Sequence, residues 1–463
     1  MRRRGRTAWW RDDRCARSRA TTKPPGLRAG VVLLGLCALV PLLCGPAAAA
    51  GARSGAYDGA RPGMYDFTPG ARSVQGAADT ADAERLDPGR TYRSSLPKNG
   101  RLYYRLRLAA ADTAYVPVTA VPPAHTTVTA TDGIRVSIED ADGSSCQYAA
   151  ARFGAGLSPR PVTALGQREA GRALCRGAGT YYLLVERLDA EGSGTAGSTQ
   201  PWDLEIAPAT EPGPVRPGPS TAPESWNSAT PEPLTGKPRD RSGGAGFVSA
   251  VPVDQGVWRT ALVPGETRFY KVPLDWGRQL HASAELDAAD GHGYAGGALN
   301  LALHNPVRGL VDDVTLGYTG ARRSVALAPL PPVEYANRHA VPAGVSAVRF
   351  AGDYYLVLHL SEQLTGPFGR GPFGVTLRIR VDGRAHAGPD YAGRPAPADV
   401  FTVTAQDRVR ALPGSTAGAD RTPMRLVAAG GIGLGTALLL VLGGWTLAAR
   451  RAQTRVSAQK PTA

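Results

Sequence analysis

The sequence predicts an all-β ectodomain of two tandem antiparallel β-sandwich domains, jelly-roll-like in pattern, followed by one C-terminal transmembrane helix. Three observations predict it. A pattern of short strands is written twice in the same order, no long amphipathic helical period occurs, and one charge-free run stands near the end of the chain. At 463 residues there is room for two or three domains. The formal net charge of +14 sits mostly at the ends: residues 1–28 carry +8 and residues 450–463 carry +4. A nearly neutral middle excludes a nucleic-acid surface as the reason for that charge. The basic ends read as topogenic instead.

Taken in order, residues 1–50 have the parts of an export signal: a basic region, an apolar run from about Ala29 to Leu43, and Pro46-Ala-Ala-Ala-Ala-Gly51. Cleavage is expected near Ala48 to Ala50, with an uncleaved signal anchor and a lipoprotein at Cys44 as the alternatives. Three of the five cysteines fall in or beside this segment. Cys146 and Cys175 are then the ectodomain's pair, expected as one disulfide in an oxidising compartment, against two buried free thiols. Arg outnumbers Lys 48 to 5, a bias of high-GC genomes such as those of actinobacteria.

Residues 51–85 are rich in Gly, Ala and Asp without clean periodicity and read as an extended arm. Then Tyr92-Arg-Ser-Ser-Leu96 and Tyr103-Tyr-Arg-Leu-Arg-Leu108 recur, shifted by 166 residues, as Trp258-Arg-Thr-Ala-Leu262 and Phe269-Tyr-Lys-Val-Pro-Leu274. Each pair is joined by a turn, Pro97-Lys-Asn-Gly100 or Val263-Pro-Gly-Glu266. Ile134-Arg-Val-Ser-Ile138 matches Leu299-Asn-Leu-Ala-Leu303, both with the period-2 alternation of a half-buried strand. Gly179-Thr-Tyr-Tyr-Leu-Leu-Val185 matches Gly352-Asp-Tyr-Tyr-Leu-Val-Leu358, and Trp202-Asp-Leu-Glu-Ile206 matches Val375-Thr-Leu-Arg-Ile379. Ungapped blocks in one order make an internal repeat. The two copies are expected at 86–206 and 247–381.

These tracts resemble the bacterial pre-peptidase C-terminal β-sandwich. The resemblance rests on the early Tyr/Phe-Tyr-Arg/Lys-Leu/Val strand, the late Gly-x-Tyr-Tyr strand and, in the first copy, Ile138-Glu-Asp-Ala-Asp-Gly143. It implies an accessory domain that rides beside a secreted peptidase or glycosidase. The second copy departs at the middle turn, where His304-Asn-Pro-Val-Arg308 replaces the acidic tract.

Residues 207–246 hold nine prolines and read as a spacer that buries no core, so the copies should fold apart. Residues 382–425 read as a stalk with one strand-like stretch, Val400-Phe-Thr-Val-Thr404. Residues 426–449 contain no charge and reach about 36 Å as a helix, enough for a hydrocarbon core of about 30 Å. Gly431 and Gly435 form a G-x-x-x-G face that would suit helix packing and a homo-oligomer, unless they only reflect an Ala/Gly-rich composition. Residues 450–463 make a basic tail, placed in the cytoplasm by the positive-inside rule.

The search for chemistry ends in absences. No G-x-S-x-G, H-E-x-x-H or C-x-x-C occurs, nor a phosphate loop between a strand and a helix. Leu412-Pro-Gly-Ser-Thr416 lacks the Thr-Gly pair of a wall-sorting signal. His281 and His359 alternate with apolar neighbours and are expected to face solvent, while His292 stands in a loop. Asp140 and Asp142 could share a hard cation, although a plain turn explains them equally and the remaining oxygens are not identifiable. Trp276, between Asp275 and Gly277, is the best candidate for an exposed partner contact, or else caps the core. The expectation is therefore a non-enzymatic, single-pass binding or scaffold protein of the cell membrane, with its domains outside. Its partner would be a protein or a cell-envelope polymer, not nucleic acid, and no cofactor is expected. The alternatives are a non-catalytic subunit of a membrane or secretion complex and an envelope hydrolase with an unrecognised site.

Overall fold

The computed structural model describes residues 64–413, except Ala173, 190–198 and Pro233, together with Trp445 and Thr446. The first module contains β1 (Arg72–Ser73), β2 (Glu84–Arg85), β3 (Tyr92–Leu96), β4 (Arg101–Leu108), β5 (Thr113–Val121), β6 (Gly133–Glu139), β7 (Ser145–Arg152), β8 (Val162–Arg168), β9 (Gly179–Leu188), β10 (Trp202–Ile206) and β11 (Ala209–Glu211). One sheet runs β1-β3-β10-β5, with β8 and β11 also on β5; the other runs β2-β4-β9-β6-β7. The eight principal strands, β3 to β10, pair antiparallel and change sheet at every connection except the β6–β7 hairpin, as in a jelly roll.

The second module contains β12 (Arg239–Asp240), β13 (Val251–Pro252), β14 (Gly256–Leu262), β15 (Thr267–Leu274), β16 (Arg278–Leu286), β17 (Ala295–His304), β18 (Leu310–Tyr318), β19 (Arg323–Ala326), β20 (Gly352–Leu360) and β21 (Phe373–Gly383). Its sheets run β12-β14-β21-β16-β19 and β13-β15-β20-β17-β18. Strands β1 to β10 recur in order as β12 to β21, with β11 alone lacking a counterpart among the described residues, so the repeat read from the sequence is a repeat of topology.

Alternation explains each sandwich. Along β4, Leu102, Tyr104, Leu106 and Leu108 are buried while Arg101, Arg105 and Arg107 are exposed. The inward set meets Ile134, Leu183 and Trp202 in the first core; Trp258, Leu301 and Leu377 lie in the second. Leu96 and Leu262 are fully buried at equivalent hairpin positions. Both hairpin turns need a positive φ at the third residue, supplied by Asn99 (56°) and Gly265 (87°).

Three stretches differ from their sequence-based descriptions. The region expected as an extended arm supplies β1 and β2, which pair in parallel with β3 and β4, and it buries Val74 and Ala83. Two-residue strands held by backbone bonds leave no periodicity to read. The expected spacer continues β10 along β5 as β11 and returns at β12. Between them Asn227 and Glu232 offer carbonyls to Gln279 Nε2 (2.8 Å) and Arg380 Nη2 (2.9 Å). Proline removes an N–H donor and leaves the carbonyl, so a Pro-rich strap can still be held by donors from a neighbouring surface.

The expected stalk, as far as residue 413, folds back over the modules. Val400–Thr404 is no strand. Phe401 is buried, and Thr404 caps the helix Ala405–Ala411 through a capping box with Asp407. Among the described residues no helix is long and apolar enough to cross a membrane. The expected signal, the run 426–449 with Gly431 and Gly435, and the basic tail lie outside the described residues, save Trp445 and Thr446.

Candidate functional site: the face between the modules

On an ordinary two-layer sandwich each strand hides one side. In β5 every residue from Thr113 to Ala120 is buried, and β17 and β20 are buried on both sides over Ala298–His304 and Leu356–Leu360. The reason is a second apolar contact. The outer face of the β3-β10-β5-β8 sheet packs on the outer face of the β15-β20-β17 sheet. Two mixed clusters result: Tyr65 with Phe247, Phe269 and Val357, and Tyr115 with Val307, Phe350 and Phe401. The modules share these clusters, which corrects the expectation that they fold apart.

Three acid–arginine pairs cross this face with the acid on the first module and the arginine on the second, while at its edge Glu362 of the second module lies 3.1 Å from His125 of the first. Glu205 of the first module is fully buried; it accepts hydrogen bonds from Tyr65 Oη (3.1 Å) and Thr68 N (2.7 Å) and pairs with Arg308 of the second. Glu211 accepts from Arg338 Nη2 (2.8 Å), Tyr115 Oη (2.8 Å) and Tyr391 Oη (3.0 Å). Arg349 donates to Glu169 (2.7 Å) and Gln167 (3.1 Å). Burial lifts the Tyr115 phenol well above its ordinary range, so it stays a proton donor. Removing one partner of such a pair strands a buried charge and costs about 3–5 kcal/mol.

Ser158 Oγ lies 2.9 Å from His359 Nε2, and His359 Nδ1 lies 2.9 Å from Thr267 Oγ1. The composition resembles a nucleophile with its base. Ser158 is wholly buried, however, and also receives the Glu362 N–H at 3.1 Å. His359 is 2% exposed, which corrects the expectation of a solvent-facing side chain. Its alternation was read rightly as pointing away from its own core; the other module covers it. Burial, then the Arg160 cation, holds the imidazole well below its ordinary pKa, and burial pushes His304 down to about 4.

The other sequence candidates are placed elsewhere. Cys146 and Cys175 are bonded, with S–S 2.04 Å and Cα–Cα 5.7 Å, as the cysteine pattern predicted. Asp140 Oδ1 accepts from the N–H groups of Asp142 (3.1 Å) and Ser144 (2.8 Å), so this carboxylate closes its own turn. Among the described residues no group of three ligating side chains could hold a metal. Trp276 is 9% exposed inside the second core, so it is not available as a surface anchor. Its flanking Asp and Gly do mark a turn, but the chain at Gly388 lies against its indole, where an added Cβ would come within 2.0 Å of Nε1. Sequence reasoning missed Glu205, Glu211, Arg308, Arg338 and Arg349. The only trace was a charged residue inside an otherwise apolar strand, as in Trp202-Asp-Leu-Glu-Ile206.

No family model and no curated protein sequence matches the chain. Among solved structures it is similar to the CUB1-EGF-CUB2 domain of human MASP-1/3, at 9% identity over 63% of this chain and 99% of that one, with a TM-score of 0.15. The CBM22-1-CBM22-2 tandem domain from Paenibacillus barcinonensis Xyn10C matches at 10% identity over 66% of this chain and all of that one, with a TM-score of 0.18. Tandem CBM51 modules of a family 98 glycoside hydrolase from Streptococcus pneumoniae match at 8% identity over 65% and 85%, with a TM-score of 0.17. At TM-scores this low the alignments establish neither a common overall arrangement nor a common ligand.

Proposed function

We propose that this chain is a single-pass protein of the cell membrane whose two jelly rolls, modules of the pre-peptidase C-terminal kind, form one rigid, non-catalytic binding or display unit outside the cytoplasm. The observation that carries the reading is the set of three buried acid–arginine pairs between the modules. Pairs of this kind favour one fixed arrangement of the two modules, and the Ser158–His359 pair is used inside it. Support for the mounting comes from the export-signal pattern, the charge-free run 426–449 and the basic tail. The test is protease added outside intact cells. Digestion should remove the segments around Tyr92 and Tyr270 and spare the tail beyond Arg450. Protection of either segment overturns the topology.

A further inference from the structure

Of the four sheet faces, two are consumed by the contact between the modules and two face away from it. The second module's face away from the contact is partly covered by the strap at Asn227 and Glu232 and is crossed by charged pairs, including Arg259–Asp287 (2.7 Å), Arg378–Glu285 (3.3 Å) and His281–Asp382 (3.6 Å). The free face of the first module is built differently. In register across β4, β9, β6 and β7 lie Tyr103, Leu184, Ser137 and Tyr148. Leu184 and Ser137 are 2% and 5% exposed, whereas Tyr148 is 64% exposed. With Tyr103, about 14 Å from Tyr148 at three strand spacings, they make a shallow trough whose floor is covered by neighbouring side chains. Arg101 lies over the Tyr103 ring at 5.5 Å and Arg135 over the Tyr148 ring at 5.7 Å, leaving the opposite ring faces to a ligand.

The trough's rims carry charge. On one side Glu186 is shared by Arg101 and Arg135, each at 3.9 Å. On the other, Arg105 faces Arg85 and Tyr182 across the strands, and Arg107 faces Thr180. Neither Arg105 nor Arg107 is in an ion pair among the described residues, and Glu139, in register with Tyr182, is the one carboxylate set against them, so the rim keeps a net positive charge. Flat aromatic walls favour stacking on a ring, and planar guanidinium groups favour bidentate contact with carboxylates.

We propose that this trough binds an acidic polysaccharide of the cell envelope, its sugar rings lying against Tyr103 and Tyr148 and its carboxylates meeting Arg105 and Arg107. The proposal rests on the reading of the chain as an external binding unit. It is tested with the full chain in detergent, titrated with polygalacturonate, with neutral dextran and with a thymidine oligonucleotide. Polygalacturonate should bind, more weakly as salt rises, and dextran should not. Tyr148→Ala should weaken binding about tenfold and Arg105→Gln several-fold. Arg259→Gln, on the second module's outward face, should leave it unchanged. Equal binding of dextran overturns the proposal. So does an oligonucleotide that binds as tightly as polygalacturonate, or a Tyr148→Ala variant of unaltered affinity. Retention on purified cell walls without binding of polygalacturonate would overturn this occupant and leave the display reading standing.

Discussion

Two modules with one strand order put equivalent residues to opposite uses. Strand register equates Glu205, opposite Arg93 and Thr119, with Thr376, opposite Arg259 and Glu285, two residues before the Arg378 that the gapless sequence match selects. Glu205 is fully buried between the modules, while Arg378 stands on the second module's outward face beside Glu285. The second copy docks through its β15-β20-β17 sheet, whereas the first docks through the sheet holding β10. The contact is therefore heterologous, and such contacts can propagate into open filaments. The neutral Thr376 at the equivalent position lacks the acid that a further copy's arginine would need. The repeat conserves the fold and varies the faces, and specificity between the copies lives in the variation.

The largest break in that comparison should come from reversing a charge on each of the two faces. Glu205→Arg places a second cation beside Arg308 in a buried site and should cost at least about 3–5 kcal/mol in chemical denaturation. Arg378→Glu alters a partly exposed pair and should cost less than about 1 kcal/mol. Equal effects would mean that the contact between modules contributes little to stability.

A second effect is set by acid. Buried imidazoles that stay neutral in the fold bind fewer protons than in the unfolded chain. Stability from His304 is complete above its ordinary pKa near 6.5 and is lost as pH falls toward about 4, on the order of 3 kcal/mol. His359 acts in the same direction. Glu169 is held below its ordinary value by Arg349 and Arg172 against its burial, so its contribution is lost in a lower window, beneath about 4.5. Both histidines belong to the second module's docking face. Hydrogen exchange at pH 4.5 should therefore quicken first at β17 and β20, and in β5 opposite them. Earlier exchange in β14 or β21, within the second core, would put the acid-sensitive site elsewhere.

How much of this was legible follows from where each signal lives. Core alternation is local, so β3, β4, β6, β9 and β10 and their counterparts were readable as tracts such as Tyr103–Leu108. The disulfide was readable because only Cys146 and Cys175 remained outside the signal. The contact between modules was not, because period 2 tells which residues share a face and not what covers that face. His359 and Glu205 alternate as solvent-facing residues should, and only the approach of the opposite module buries each of them. The straps failed for a different reason. Proline and glycine suppress local periodicity at 207–246 and 382–413, yet Phe401 and the carbonyl of Asn227 are held from outside by Phe350 and Gln279.

The copies also differ in how their ends are tied, and that difference yields two smaller effects. In the first module Cys146 of β7 is bonded to Cys175 in the β8–β9 connection. Reduction should cost about 2–4 kcal/mol, felt first in β7. The second module has no cysteine and should keep its exchange protection in β18 under the same conditions. Loss of protection at both sites together would mean that the modules unfold as one unit.

The smallest effect tests the second module's tie, which is not covalent. Thr404 accepts the Asp407 N–H at 3.2 Å, Asp407 accepts the Thr404 N–H at 2.9 Å, and Arg408 reaches Asp275 with contacts of 2.8 and 3.1 Å. The helix Ala405–Ala411 spans under two turns, too short to persist on propensity alone. Its cap and its ion pair must hold it against the β13–β15 edge. Thr404→Ala should then cost about 1 kcal/mol, read as faster exchange confined to residues 405–411. Arg408→Ala should add less, since Arg408 is half exposed. Neither change should touch exchange at β5 or β20, because Phe401, three residues before the cap, remains stacked on Phe350 at 4.9 Å. If Thr404→Ala also loosened those strands, the helix itself would be coupled to the contact that Phe401 already joins, and the two ends of the comparison would no longer be separate ties.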